Sequence, residues 1–475
     1  MDASGEELSD LELENEAEHC GVEQEQEQEQ EPETVAIMDA VKVLLQGLGE
    51  DINREGIRKT PLRVAKALRE GTRGYGQTAK DIIQSALFPE AGLHNGVDQA
   101  GGAGGIVVVR DLDFFSYCES CLLPFQVKCH VGYVPSGQRV VGLSKLSRVA
   151  DVFAKRLQKP QRLADQICSA LHHGIKPGGV AVTLHCSHVH FPSMESVFLD
   201  SKYPGWVKVQ VQSGSGAFEN QDADVWMDFF SLLKFRGTDL SKAAGAPNLD
   251  AQVWCPSHFS SSKFSTRIES VNPRMIAAVT SILRSLGEDP SRKELLGTPG
   301  HFVNWLMSFH NCNVDMKVDM KKLNGFANGR IHCEPNDNGN NLSEKQIQSE
   351  LNFLFWSQCE HHLLPFYGVV HIGFIRVDGL TPLEKSLLNP VIHFYGLKLQ
   401  VQERMTRQIA ETVSSFLGAD IIVVVEASHT CMMSRGIEKF GCTTATIAAL
   451  GRFSSDAGAR AMFLQTIPKT TIGEL

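Results

Sequence analysis

"SQCEHHLLPF", residues 357–366, has a near copy at 116–125, "SYCESCLLPF". The cysteine, the glutamate and the trailing Leu-Leu-Pro-Phe are kept, while two histidines become serine and cysteine. Cys359 lies 241 positions after Cys118, and His429 in "EASHTCM" lies 241 after His188 in "LHCSHVH". "GEDINREGIRKTP" (49–61) pairs with "GEDPSRKELLGTP" (287–299), and "QRLADQI" (161–167) with "ERMTRQI" (403–409). Such a period is too long for a solenoid and means two homologous modules in tandem. The expected layout is a tail over 1–34, modules over 35–211 and 269–475, and a linker over 212–268 with some local structure around Trp226–Phe235.

A chain of 475 residues with 42% hydrophobic and 21% charged content can bury more than one core. No apolar run approaches the roughly 20 residues that cross a bilayer. The acidic N-terminus has neither a secretory apolar region nor the basic character of an organellar transit peptide. A cytoplasmic protein is expected. The net charge of −10 is set by the tail: residues 1–34 hold 14 Asp and Glu and no Lys or Arg, which leaves the body at +4. A tail containing "EQEQEQEQEPE" cannot offset its ordering entropy and is expected to be disordered. A mildly basic body suits an anionic small substrate and is too weak a signal for nucleic acid. The 12 cysteines, in a chain with no secretory signal, are expected as thiols or metal ligands rather than as a disulfide framework.

Each module repeats one order of elements. A helix starts at Thr-Pro, with Thr60 expected as its N-cap and Pro61 at the first helical position. Two strands follow, "GGIVVVRDLDFFSYC" then "VKCHVGYVP" in the first module and "YGVVHIGFI" as the second strand of the other. A long amphipathic helix around "QVQERMTRQIAETVSSFLG" leads to a last core strand, "VAVTLHCSHVH" or "DIIVVVEASHTC". The pattern predicts an α+β fold, an antiparallel sheet with helices packed on one face.

The second module carries a metal-ligand pattern. Cys359, His361 and His362 share one tight loop, and His429 and Cys431, two apart on the expected strand, point to one face. Zinc takes about four Cys, His or carboxylate ligands, and a catalytic zinc keeps a position open. Three ligands with two spare histidines for proton transfer suit such a site. A closed zinc staple, or plain core thiols and imidazoles, are the competing readings of the same residues.

"CEHH", "QVQER" and "SHTCMMSRG" in that order, after a Thr-Pro helix start, resemble GTP cyclohydrolase I over most of both modules. That family has the tunnelling fold, opens the imidazole ring of GTP, releases formate and closes dihydroneopterin triphosphate, the entry to folate synthesis. A tandem pair is typical of its plant members. The resemblance implies Zn2+ on Cys359, His362 and Cys431, with proton transfer by His361 and His429. It implies guanine recognition by Gln402 and Glu403, through a charge-assisted contact that adenine lacks, and a triphosphate cation at Arg435. Family members form rings, so a homo-oligomer is expected, with GTP as substrate and neither nucleic acid nor membrane as partner.

The two modules depart from the family in opposite ways. The second reads "LTPLEKSLLNPV" where the family grips phosphates, keeping only Lys385, and has His301 and Asn304 in place of cations on the Thr-Pro helix. The first keeps Arg63 and Lys66 on that helix, three apart on one face, and Ser144, Lys145 and Arg148 in "GLSKLSR". Its guanine position is Gln161 and its proton-transfer position Ser120, with Cys118, Cys121 and His190 at the metal positions, a set that could still hold a structural zinc. Composite sites are one expectation, with phosphate binding from the first module and chemistry from the second. A degenerate first module that only scaffolds is another. A non-catalytic regulatory tandem, or a different purine or pterin enzyme of the same fold, are the alternatives for the whole chain.

Overall fold

The computed structural model describes residues 31–83, 87–89, 105–136, 139–189, 206–235, 254–255, 272–309, 347–375, 385–417, 420–436 and 442–468. The expected tail up to residue 30 and His190 lie outside them. The first module comprises α1 (Pro32–Gly47), α2 (Thr60–Gly71), β1 (Val107–Cys118), β2 (Pro124–Val134), α3 (Leu143–Ala154), β3 (Leu157–Gln158), α4 (Pro160–Ile175), β4 (Gly179–Val189), β5 (Trp206–Gly216) and α5 (Asp224–Lys234). The second comprises α6 (Pro273–Ser285), α7 (298–309), β6 (Ile347–Cys359), β7 (Pro365–Ile375), α8 (Lys385–Gly396), β8 (Leu399–Gln400), α9 (Gln402–Leu417), β9 (Ile421–His429), α10 (Thr430–Met433), β10 (Thr444–Ala449) and, after a short turn, α11 (Ala457–Thr466).

Each module builds a five-stranded sheet, ordered β3-β1-β2-β4-β5 in one and β8-β6-β7-β9-β10 in the other. The long strands pair antiparallel, as expected, and a two-residue strand adds a parallel edge to each sheet. The outer strands β5 and β10 escaped the sequence reading. β5 runs to Gly216 and α5 packs beside it, so the first sheet and its cover reach past residue 211. Helices α3 and α4, or α8 and α9, cover one face through alternating apolar positions. A smaller helix covers part of the other face: α5 buries Trp226, Phe229 and Leu233 there, and α11 buries Phe463.

The same bulge interrupts the first strand of both sheets, at Val109/Leu112 and at Glu350/Phe353. Asp111 and Asn352 take the left-handed conformation there, which short polar side chains tolerate. Their amides donate to Nδ1 of the buried His130 and His371, at 3.1 and 3.3 Å.

The modules share one hydrophobic core. α1 packs on α6, so closely at Gly47 that a Cβ would lie 2.5 Å from the Met275 sulfur. The Thr-Pro helices are exchanged. The Thr60 hydroxyl caps no helix; it donates across the junction to the carbonyl of Glu360, at 2.7 Å. Thr298 donates in the same way to the carbonyl of Glu119. Each module thus lays its Thr-Pro helix against the other module's cysteine loop.

Candidate active site at the junction of the modules

The loop after β6 is held from both sides. Cys359 N–H bonds Leu364 O at 2.8 Å, and Leu363 adopts φ 51° to close the turn. Glu360, buried inside the turn, accepts from Arg54 of the first module at 3.1 Å and from Arg404 of α9 at 2.6 Å. A buried carboxylate needs such partners. Gly56 passes so close that a Cβ there would sit 2.6 Å from the Glu360 carboxylate. The copied loop repeats the device, with buried Glu119 paired to Arg162 and Arg292 at 2.8 Å each. Arg54, Glu360 and Arg404 were given no role from sequence, and Thr60 was expected only as an N-cap. The signal was there: the repeat keeps the glutamate in both loops and the arginine in both "QRLADQI" and "ERMTRQI".

Three ligand-type side chains converge. Cys359 Sγ lies 3.9 Å from Cys431 Sγ and 3.8 Å from His362 Nδ1. All three donor atoms fall within 4.8 Å of one another. Bond lengths of about 2.3 Å to sulfur and 2.0 Å to nitrogen, at tetrahedral angles, require roughly 3.5–3.8 Å between ligand atoms, so the set fits zinc. Cys431 reaches it differently from expectation: β9 ends at His429, and Cys431 stands in the single turn of α10. The hydrogen bond from Cys431, with help from His362, holds the Cys359 thiol well below its usual range. Cys431, beside that thiolate and buried, is pushed up.

His361 and His429 flank the cluster. His361 is half-exposed; burial, then the nearby Arg63 guanidinium, lowers its pKa and favours the neutral imidazole. His429 stacks on Phe366 at 4.6 Å between centroids, and its Nε2 meets Gln402 Oε1 at 2.8 Å. The Gln402 amide nitrogen donates to the carbonyls of Val425 and Thr444 at 3.0 and 2.9 Å. Carbonyls only accept, so the Gln402 oxygen faces His429, and His429 Nε2 carries the hydrogen in that contact. Gln402 is therefore buried and committed to orienting His429. Its neighbour Glu403 is exposed and lines an open groove of about 410 Å³ with Arg407 and β10.

The structure brings some expected phosphate ligands together and leaves others apart. Arg63 stands one turn into α2, within electrostatic reach of His361; Lys66 lies exposed a further turn along. Arg435 donates to Cys431 O at 2.9 Å, and the buried Tyr117 of the first module lies near Ser434 beside it. Lys385 is tied elsewhere, donating to Leu351 O at 3.3 Å over the Phe353 ring. That carbonyl is roughly 25 Å along β6 from Cys359, at ~3.3 Å per residue. Ser144, Lys145 and Arg148 occupy the first turns of α3, which packs on β1, α4 and the turn at 73–76 of its own module. Cys118 and Cys121 converge with His188 and with Cys255 from the expected linker.

The fold and site define a tandem protein in which one module presents a Cys/His cluster that could hold a metal ion and the other supplies the helix that covers it. The family model of GTP cyclohydrolase I matches residues 37–201 and 275–468. GTP cyclohydrolase 1 of Solanum lycopersicum is 65% identical over 436 residues, covering 92% of both chains. That of Arabidopsis thaliana is 62% identical over 441 residues, covering 92% of this chain and 91% of its own. The Dictyostelium discoideum enzyme is 44% identical over 198 residues, which is 42% of this chain and 77% of its own. The chain belongs to the GTP cyclohydrolase I family, in a two-module form. Among the described residues, no helix is long and apolar enough to cross a membrane.

Proposed function

We propose that the chain converts GTP to 7,8-dihydroneopterin triphosphate and formate, the first step toward tetrahydrofolate, as a cytoplasmic homo-oligomer. The observation that carries this is the convergence of Cys359, His362 and Cys431 between His361 and His429, under the Arg63 end of α2. Those three residues would hold zinc, which would supply the Lewis acidity to lower the pKa of water toward neutral. His361, neutral and accessible, accepts and returns protons at the purine imidazole ring. His429, fixed by Gln402 and Phe366, is the second proton carrier. The exposed Glu403 carboxylate meets the guanine N1–H and 2-amino group. Arg63 and Lys66 draw the triphosphate to the same mouth, with Arg435 beside them.

Ser144, Lys145, Arg148 and Lys385 serve the site of a neighbouring copy in this reading. What supports it is the hold of Lys385 at Leu351, far along β6 from the cluster, together with the exposed position of Ser144 and Arg148. Purified chain supplied with GTP and zinc should release formate and yield a fluorescent neopterin after oxidation and phosphatase treatment. No product from protein with confirmed bound zinc would favour a regulatory or scaffold tandem. A wild-type KM for GTP in the Lys145→Ala, Arg148→Ala double variant would remove α3 from the site.

A further inference from the structure

The copied loop has not simply lost its metal chemistry. Cys118, Cys121, His188 and Cys255 place three sulfurs and an imidazole nitrogen within 4.8 Å of one another, and all four residues are buried. Cys121 Sγ lies 3.3 Å from His188 Nε2. Tetrahedral zinc asks for roughly 3.5–3.8 Å between such ligand atoms, so the four need only small shifts. The loop has the ligand-holding shape of its active counterpart: Cys118 N–H bonds Leu123 O at 2.9 Å, and Leu122 takes φ 56°.

The ligand set is new in two respects. His188 aligns with the proton-transfer histidine His429, yet here it points its Nε2 into the cluster. Its Nδ1 meets the carbonyl of Val189 at 2.7 Å, and a carbonyl only accepts. Nδ1 therefore carries the hydrogen, and Nε2 presents its lone pair to the thiols. An outer hydrogen bond of this kind is what metal-ligating histidines use to fix their tautomer. The fourth ligand, Cys255, comes from the segment between the modules. Trp254 beside it packs edge-on against Phe125 at 4.8 Å and against His188 at 5.0 Å.

We propose that Cys118, Cys121, His188 and Cys255 form a second, structural zinc site that fastens the inter-module segment onto the first module. Four protein ligands close the tetrahedron and leave no position for water or substrate, whereas the active cluster offers three. Binding releases the three thiol protons to solvent and leaves a site of net charge −1. The aromatic wall of Phe125 and Trp254 keeps water from it. This inference does not depend on the proposed activity.

Metal counting on the full chain, purified with zinc present and freed of loosely bound ions, tests it. The wild-type chain should hold two zinc ions, and Cys255→Ser and Cys359→Ser one each. In the Cys359→Ser background, cobalt(II) should give the thiolate charge-transfer and tetrahedral ligand-field bands of a three-sulfur site, and Cys255→Ser should abolish them. If Cys255→Ser does not fold, Cys255→His keeps four ligands and should still hold two ions. One zinc per wild-type chain, unchanged by Cys255→Ser, overturns the site. So does a disulfide between Cys255 and Cys118 or Cys121 in the zinc-replete protein.

Discussion

The loop at 118–121 and the loop at 359–362 share a backbone and differ in what surrounds them. Both turn through a left-handed leucine, both bury a glutamate between arginines, and both receive a threonine from the other module. One faces α2 with Arg63 and Lys66; the other faces α7 with His301 and Asn304. Because the Thr-Pro helices are exchanged, the cations kept by the first module stand over the Cys359–His362–Cys431 cluster of the second. The helix with His301 and Asn304 covers the loop that has Ser120 where the other loop has His361. On the Thr-Pro helices, the exchange sets each module's kept or missing cations against the other module's loop. A position can drift in each copy without harming the one site that its helix does not serve.

The sharpest way to break this comparison is to remove the same loop position in each module. His361→Ala should lower kcat by about 10²–10⁴, the usual contribution of a positioned acid or base. Ser120→Ala should leave kcat near wild type. Steady-state kinetics with GTP, on variants whose metal content is unchanged, decides the matter. Equal losses in both would mean that both loops carry chemistry.

Acid stability separates the modules by a different route. Burial pushes His130 and His371 down to about 4. His130 also faces His185 at 5.4 Å, whereas the aligned position in the second sheet is Glu426. In each case the folded pKa lies below the unfolded value of about 6.5, so the folded state prefers the neutral ring. The stability is fully present above pH ~6.5 and is lost as pH falls toward 4, by at most about 3 kcal/mol per histidine. Hydrogen exchange between pH 7 and 4.5 should show the first sheet loosening before the second. His130→Gln, which keeps an acceptor for Asp111 N–H, should flatten that dependence; an unchanged profile would place the acid sensitivity elsewhere.

Arg63 tests the exchange itself. Arg63→Ala should raise KM for GTP by about 10–100-fold, some 1.4–2.7 kcal/mol, with a smaller change in kcat. Rescue of KM by Arg63→Lys would mark a charge effect rather than a packing effect. A normal KM in Arg63→Ala would mean that α2 covers the site without binding substrate.

The elements and the ligand residues were legible because they are local or periodic. The buried run of β7 and the amphipathic pattern of α9 follow from short-range spacing, and Cys-Glu-His-His and His-x-Cys are compact motifs. The exchange was not legible. Thr60 before Pro61 satisfies every local condition for an N-cap, yet its hydroxyl serves a carbonyl 300 positions away. Cys255 was equally hidden: a single cysteine in a polar segment acquires meaning only when β4 and the loop at 118–121 meet it. Alignment by period matches Cys431 with His190, which lies outside the described residues; among the described residues it is His188 that meets Cys121. The edge strands β5 and β10 lack the apolar run of a central strand, since one side of each pairs with nothing in this chain among the described residues.

His301 carries the smallest expected effect and the most pointed control. It aligns with Arg63, but its Nδ1 contacts Ser120 O at 3.1 Å, at the loop that has a serine where the other has His361. If the helices serve opposite sites, His301→Ala costs about 0.5–1.5 kcal/mol of stability through that hydrogen bond and leaves KM for GTP within roughly twofold. Restoring a cation with His301→Arg should fare no better, because the loop beneath it holds a serine where the chemistry needs a histidine. Thermal unfolding and GTP kinetics on the two variants separate these effects. A KM that rises in His301→Ala as it does in Arg63→Ala would show that α7 also reaches a working site, and the division of labour between the modules would have to be redrawn.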